Sequence, residues 1–148
     1  MSKLQLREVQ REDLPGLLNL YTQLHNNLFP GIDERISSIW EDILHDPQHH
    51  IAVGCIGDRI VVSCVIIIVK NLTQGQRCYA LVENVITDAQ FRKMGYATEI
   101  LNFAKGIAVS SGCYKIMLMT GSKEESTLRF YERAGYNRND KTAFIQWL

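Results

Sequence analysis

The sequence predicts a mixed α/β domain spanning residues 1–148. Three observations carry this. Short apolar stretches of strand character recur along the chain, longer stretches place apolar residues at helical spacing, and the two kinds interleave as β-α-α-β-β-β-α-β-α-β. No repeat, low-complexity stretch or linker divides the chain, and 148 residues suit one domain.

Lys3 to Val9 alternates Leu4, Leu6 and then Val9, as a half-buried strand does. Arg11-Glu12-Asp13 opens a helix with acidic residues and Pro15 in its first turn, and Leu14, Leu17, Leu18, Tyr21 and Leu24 form its apolar stripe. Phe29-Pro30-Gly31 breaks it. Asp33 starts a second helix through Ile36, Ile39, Trp40 and Ile43, which ends near Asp46-Pro47. His45, His49 and His50 read as a loop. Ile51 to Ile56 and Ile60 to Val69 are strands around a Gly57-Asp58-Arg59 turn, the second long, β-branched and central. Asn71 to Gln76 is a loop and Tyr79 to Thr87 the next strand. Gly95 opens a helix with Ile100, Leu101, Ala104, Ile107 and Ala108 on its buried face, and Gly112 suits its C-terminal cap. Tyr114 to Met119 is a strand, Lys123 to Ala134 a helix closed by Gly135, and Lys141 to Trp147 a final strand.

Composition excludes several classes. Lys+Arg and Asp+Glu number 16 each, so the basic excess of a nucleic-acid binder is missing. Hydrophobic residues make up 46%, enough for a core without disulfide or metal staples. Cys55, Cys64, Cys78 and Cys113 form no C-x-x-C pair, and no histidine spacing suits zinc, so no metal is expected. The first residues carry no signal-peptide core, and the run Val65 to Val69 is far too short to span a bilayer, so a cytoplasmic protein is the default expectation.

The segment Val85 to Ala97 joins a strand to a helix. A helix N-terminus presents unpaired N–H groups and the positive end of a dipole, which suit a phosphate or pyrophosphate. Gly95 and Ala97 are small, so a phosphate can approach the backbone, and Arg92 and Lys93 add positive charge. An ordinary tight turn before a helix is the competing account of the fragment alone. A dinucleotide-binding domain would need G-x-G-x-x-G, which is absent.

Arg92-x-x-Gly95-x-Ala97 resembles the [RQ]-x-x-G-x-[GA] pattern of motif A in the GCN5-related N-acetyltransferases, and Leu81 to Asp88 is similar to that family's fourth strand. Phe130-Tyr131-Glu132-Arg133-Ala134-Gly135-Tyr136 is similar to its motif B. Two motifs in register, and the matching order of elements, extend the resemblance over nearly the whole chain. It implies a central mixed, mostly antiparallel sheet flanked by helices. It also implies transfer of an acetyl group from acetyl-coenzyme A to a primary amine of a small molecule or peptide, by direct attack in a ternary complex. A non-catalytic acyl-coenzyme A sensor on the same fold is the alternative.

The resemblance further implies site residues. The N–H groups of Arg92, Met94, Gly95, Tyr96 and Ala97, with the charge of Lys93, would hold the pyrophosphate. The backbone of Val85 and Thr87 would pair with the pantetheine arm. The Val85 N–H would polarise the thioester carbonyl, whose oxygen gains negative charge on attack. Tyr131 would protonate the departing thiolate, since a phenol at pKa ~10 keeps its proton where a thiol at ~8.5 does not. Glu83 would take a proton from the ammonium of the acceptor, and strict strand alternation puts its side chain on the Val85 face. Its competing reading is a solvated strand glutamate.

Two positions depart from the family. Glu124 stands where an Asn is common, and Thr127 where Ala is common. Acceptor contacts in the family come mainly from the first two helices and their connection, plus the C-terminal strands; His25, Asn26, Asn27 and Phe29 in that connection suit either a small-molecule site or a solvated helix end. Gly112 to Ile116 resembles a stretch of the glucosamine-6-phosphate acetyltransferases, but as part of a buried strand it would speak to packing. Relatives often dimerise through C-terminal strands, and the apolar Ala143 to Leu148 suits either a homodimer contact or a buried edge within the monomer.

Overall fold

A computed structural model describes residues 2–24 and 27–148. Five strands form one sheet in the order β1 (Gln5–Glu8), β2 (His49–Ile56), β3 (Arg59–Val69), β4 (Tyr79–Thr87) and β5 (Ile116–Leu118). The first four pair antiparallel, and β4 pairs with β5 in parallel. Four helices surround it: α1 (Leu14–Tyr21), α2 (Glu34–His45), α3 (Tyr96–Ser110) and α4 (Glu125–Arg133). The mixed, mostly antiparallel sheet is therefore as expected, with β3 at its centre.

The sheet is buried on both faces because β3 alternates apolar residues in both directions. Val62, Cys64, Ile66 and Ile68 join Ala80 and Val82 of β4 and Ile100, Leu101, Ala104 and Ala108 of α3 in one core. Ile60 and Val65 join Leu14, Leu17 and Leu20 of α1 and Trp40 of α2 in the other. Burying a leucine such as Leu17 fully contributes roughly 1.5–3 kcal/mol. The entry to α1 is held by charge. Asp13 accepts from both terminal nitrogens of Arg7 at 2.6 and 2.9 Å and from the Gln10 N–H at 2.6 Å. Trp40 Nε1 donates to Arg11 O at 3.0 Å and ties α2 to the same corner.

Both glycine stops expected after α3 and α4 are left-handed caps, with φ of +79° at Gly112 and +103° at Gly135. In each, the glycine N–H bonds back three residues and the next N–H five, to Ala108 O from Cys113 and to Tyr131 O from Tyr136. This is the Schellman arrangement, which returns the chain against the last helical turn.

Three expectations change. His49 and His50 are not loop residues but open β2, where His50 Nδ1 lies 2.5 Å from Glu8 Oε1 across the strand pair. Periodicity missed them because pairing with Ile67 and Ile66 of β3, rather than hydrophobicity, sets the strand's start. Residues 112–115 are a half-buried connection, and β5 begins only at Ile116. Lys115 Nζ instead sits over the Tyr79 and Tyr114 rings, 5.0 and 5.2 Å from their centroids. Finally, Lys141 to Trp147 forms no strand. Phe144, Ile145, Trp147 and Leu148 are all exposed. An extended apolar pattern specifies a strand only once an edge is present to pair with it, and this tail meets none within the chain.

Candidate active site

The site is organised by a gap in the sheet. β4 pairs with β5 only from Ala80 to Val82, opposite Ile116 to Leu118. From Glu83 to Thr87 the edge facing β5 is unpaired by that strand. On its other side β4 pairs with β3 through a bulge. Val65 lies opposite Glu83 and Ser63 opposite Ile86, so two residues, Asn84 and Val85, oppose Cys64 alone. Asn84 has a φ of +52°, which makes room for the extra residue.

The bulge corrects the expected placement of Glu83. Strict alternation puts Glu83 and Val85 on one face. The inserted residue breaks it: Val85 packs against the α3 core, while Glu83, opposite Val65, faces the side of α1 and α2. Glu83 is half-buried.

After β4 the chain turns at Asp88, whose carboxylate is buried and fully engaged. Its N–H donates to Val61 O at 2.8 Å, and its side chain accepts from the Gln90 N–H at 2.9 Å and from Arg59 Nη2 at 2.6 Å. Burial pushes its pKa up. The Gln90 N–H and the Arg59 guanidinium outweigh that and hold it below the ordinary carboxylate range. Arg59 also covers the Phe91 ring, 5.1 Å from its centroid, and Phe91 stacks on Tyr96 at 6.5 Å. Gln23, just past α1, accepts from the Ala89 N–H at 2.8 Å. The connection is thus fixed at both ends before it reaches α3.

Gly95 is the N-cap of α3, with a φ of +83°. A Cβ there would meet no protein atom within 4 Å, so the backbone conformation, not crowding inside the chain, demands glycine. Among the described residues the only backbone bonds recorded beside this stretch run from Phe91 N to Asp88 O and from Glu99 N to Gly95 O. None of these bonds is donated by an N–H of Arg92 to Ala97, and Arg92 and Lys93 are exposed. Such a set of unpaired donors fits a pyrophosphate, as does the open space at Gly95.

α4 brings in the phenol. Tyr131 packs against the same core as Val85, edge-on to Phe130 at 5.0 Å and to Tyr136 at 6.4 Å. The left-handed Gly135 returns Tyr136 onto Tyr131 and closes this aromatic group. Burial, with a smaller contribution from Cys64, pushes the Tyr131 pKa above its ordinary value.

On the α1 side, a depression of about 240 Å³ is lined by Leu18, Tyr21, Asn27, Leu28 and Pro30. His25 and Asn26 lie outside the described residues. The larger hollow, about 480 Å³, lies behind the loop anchor among Gly16, Asn19, Asp58, Arg59 and Asp88, and does not include Val85 or Tyr131.

Residues 14–136 match the model of the acetyltransferase (GNAT) family. The chain belongs to that family. Among curated proteins it is 31% identical over 83 residues to a glucosamine 6-phosphate N-acetyltransferase of Trypanosoma brucei brucei, covering 56% of this chain and 54% of that relative. That alignment spans about half of the relative's length. A solved structure from Agrobacterium tumefaciens str. C58, provisionally named an acetyltransferase, is 32% identical, with a TM-score of 0.89 over 97% of this chain and 99% of that one. The glucosamine-6-phosphate N-acetyltransferase of Arabidopsis thaliana shares the fold at 22% identity, with a TM-score of 0.85 over 98% of each chain.

In this GNAT chain, Val85 and Thr87 lie on β4, the Arg92–Ala97 loop leads into α3, and Tyr131 lies on α4, the elements on which the sequence puts them. The Asp88, Arg59 and Gln23 contacts were not legible in the sequence. An aspartate directly before a short turn was the available signal for Asp88, as a local cap. Nothing local links it to Arg59, 29 residues earlier.

Replacing Asp88 with Asn should cost about 1–3 kcal/mol near neutral pH, through the lost Arg59 ion pair. A depressed carboxylate stabilises above its unfolded pKa of ~3.9 and loses that contribution as pH falls through its folded value. Thermal melts of wild type and Asp88→Asn should therefore differ by a constant amount above about pH 4 and converge below it.

Proposed function

We propose that residues 1–148 form one N-acetyltransferase domain that moves the acetyl group of acetyl-coenzyme A to a primary amine of a small molecule or peptide, with both substrates bound. One arrangement carries this reading. The unpaired stretch of β4 leads directly into the donor-rich Gly95 loop, and Tyr131 packs on the same core as Val85.

Acetyl-coenzyme A supplies the activated thioester. In this reading the Arg92–Ala97 N–H groups and Lys93 bind its pyrophosphate. The backbone of Val85 and Thr87 lies along the pantetheine arm, in place of the pairing that β5 does not provide. The Val85 N–H is directed at the thioester oxygen. Glu83, on the α1 and α2 side, accepts the proton of the incoming ammonium directly or through a water. The nitrogen then attacks the carbonyl carbon, the carbon–sulfur bond breaks, Tyr131 gives its proton to the sulfur, and the second proton of the nitrogen passes through solvent to restore the Tyr131 phenol. Burial of Tyr131 supports that role, because it keeps the phenol protonated through and beyond neutral pH. The opposite orientations of Glu83 and Val85 support entry of the two substrates from opposite sides of the strand.

The test is thiol release from acetyl-coenzyme A across an amine panel headed by amino sugars, the class named for the Trypanosoma relative. Binding without release across the panel would favour a sensor instead. Tyr131→Phe should lower kcat by roughly 100-fold and leave coenzyme A affinity within about twofold; unchanged turnover would remove the acid role. Gly95→Glu, which adds a negative charge and a side chain at positive φ, should weaken coenzyme A binding by at least about 100-fold in a calorimetric titration. Normal affinity there would sink the loop assignment.

The reading includes a cytoplasmic location and a homodimer through the C-terminal segment. No helix among the described residues is long and apolar enough to cross a membrane. For the dimer, the support is the exposure of Phe144, Ile145, Trp147 and Leu148, together with the position of β5 at the edge of the sheet. Clustered exposed apolar side chains mark contact surfaces, and an unpaired edge accepts an added strand. Sedimentation equilibrium should give a dimer that a Phe144→Asp, Trp147→Asp variant converts to monomer. A monomeric wild type at about 10 times the assay concentration would refute it.

A further inference from the structure

We propose that Cys78 and Cys113 are a reversible oxidation site, closed into a disulfide by a low-molecular-weight disulfide such as glutathione disulfide. The two sulfurs lie 3.4 Å apart, although the residues are 35 positions apart in sequence. A disulfide requires ~2.05 Å between sulfurs, so the two need approach by only about 1.4 Å more. Both residues are half-buried, so a small oxidant can reach them. Cys55 and Cys64, by contrast, are buried.

The pair is brought together by backbone geometry, not by chance contact of two flexible ends. The left-handed Gly112 turns the chain back at the end of α3, and the Cys113 N–H bonds to Ala108 O at 3.0 Å. The next residue, Tyr114, donates its N–H to Cys78 O at 3.0 Å, and the Ala80 N–H donates to Lys115 O at 3.0 Å. Cys78 Sγ donates to Ser111 O at 3.2 Å. The two thiols therefore face each other across the last stitched step between the α3–β5 connection and the start of β4.

The chemistry balances as two exchanges. The Cys78 thiolate attacks one sulfur of the oxidant, the oxidant's sulfur–sulfur bond breaks, and one small thiol leaves. Cys113 then attacks the Cys78 sulfur and displaces the second small thiol. The two protein thiols lose two electrons and two protons, and the oxidant becomes two thiols. In the reduced protein, burial first, and then the hydrogen bond and charge of Cys78, push the Cys113 thiol up to about 12. The first exchange removes both contributions from Cys78, while that of burial, the largest, remains.

The bond would enclose β4, the Gly95 loop and α3 in one covalent loop, because all three lie between the two cysteines. It would fasten the closed end of the β4–β5 pair, seven residues before Val85 or about 23 Å along an extended strand. The inference goes beyond the acetyl-transfer reading and does not depend on it.

The test uses the full chain equilibrated with glutathione disulfide. The intact mass should fall by two hydrogens, peptide mapping should join the Cys78 and Cys113 peptides, and Tm should rise by roughly 5–10 °C, reversibly with dithiothreitol. Cys78→Ser and Cys113→Ser, each small and half-buried changes, should show no mass loss and no rise in Tm. An unchanged mass, glutathione adducts without an internal link, a link through Cys55 or Cys64, or a Tm that does not rise would each overturn the proposal. None of these readouts uses coenzyme A, so failure of the acetyl-transfer reading would not be mistaken for failure of this one.

Discussion

β4 has nine residues, and β5 pairs with only three of them. A strand in the middle of a sheet ordinarily satisfies its backbone on both edges, since each unpaired and buried N–H or C=O costs free energy. Here the pairing with β5 stops at Val82, and the following five residues have no strand on that edge, with the Thr87 carbonyl accepting from Arg92 Nε at 3.3 Å. The bulge at Asn84 and Val85 arises in the same stretch. It shifts the register against β3 and separates the directions of the Glu83 and Val85 side chains. The opposite directions of Glu83 and Val85 and the approach to the Gly95 loop both follow from this interrupted strand.

An open strand edge is useful only if its surroundings do not collapse into it. The loop after β4 resists through one residue with three partners, two at its buried carboxylate and one at its backbone N–H. Asp88 is bound by Val61, Gln90 and Arg59, and Gln23 adds a contact from the far side of the sheet. These contacts draw on β3, on the turn after α1 and on the loop itself, so the loop is set by the whole sandwich of helices and sheet. Among the described residues, the N–H groups of Arg92 to Ala97 beyond it donate no backbone bond outside the regular elements. Such preorganised donors bind an anion without first being reordered.

The two left-handed glycines do complementary work at the other ends of the helices. After α3, Gly112 returns the chain to the start of β4, which sets the parallel pairing and faces Cys113 with Cys78. After α4, Gly135 returns Tyr136 against Tyr131, so the phenol sits among aromatic rings and is partly shielded from water. In both cases one residue free to adopt positive φ decides where a functional side chain lies.

Much of this was legible in local pattern. β4 was read from Tyr79 to Thr87, as observed, because its apolar run is bounded by turns. The start of α3 followed from Gly95, and both caps followed from glycine placement. The Gly95 loop and Tyr131 were legible because their chemistry resides in short segments. The alternation rule failed at Glu83, since a bulge depends on how β3 and β4 pair and not on β4 alone. The strand expected from Lys141 to Trp147 failed for a related reason. Its pattern is extended and apolar, but an extended segment becomes a strand only against an available edge. By itself, then, the sequence determined most of the elements, the helix caps and the Gly95 turn into α3, which depend on neighbours a few residues apart. Only the tertiary structure decided the gap beside β4, the Asp88–Arg59 anchor, the faces of Glu83 and Val85 and the Cys78–Cys113 approach. Those depend on residues that are distant in the chain and meet only when the sheet assembles.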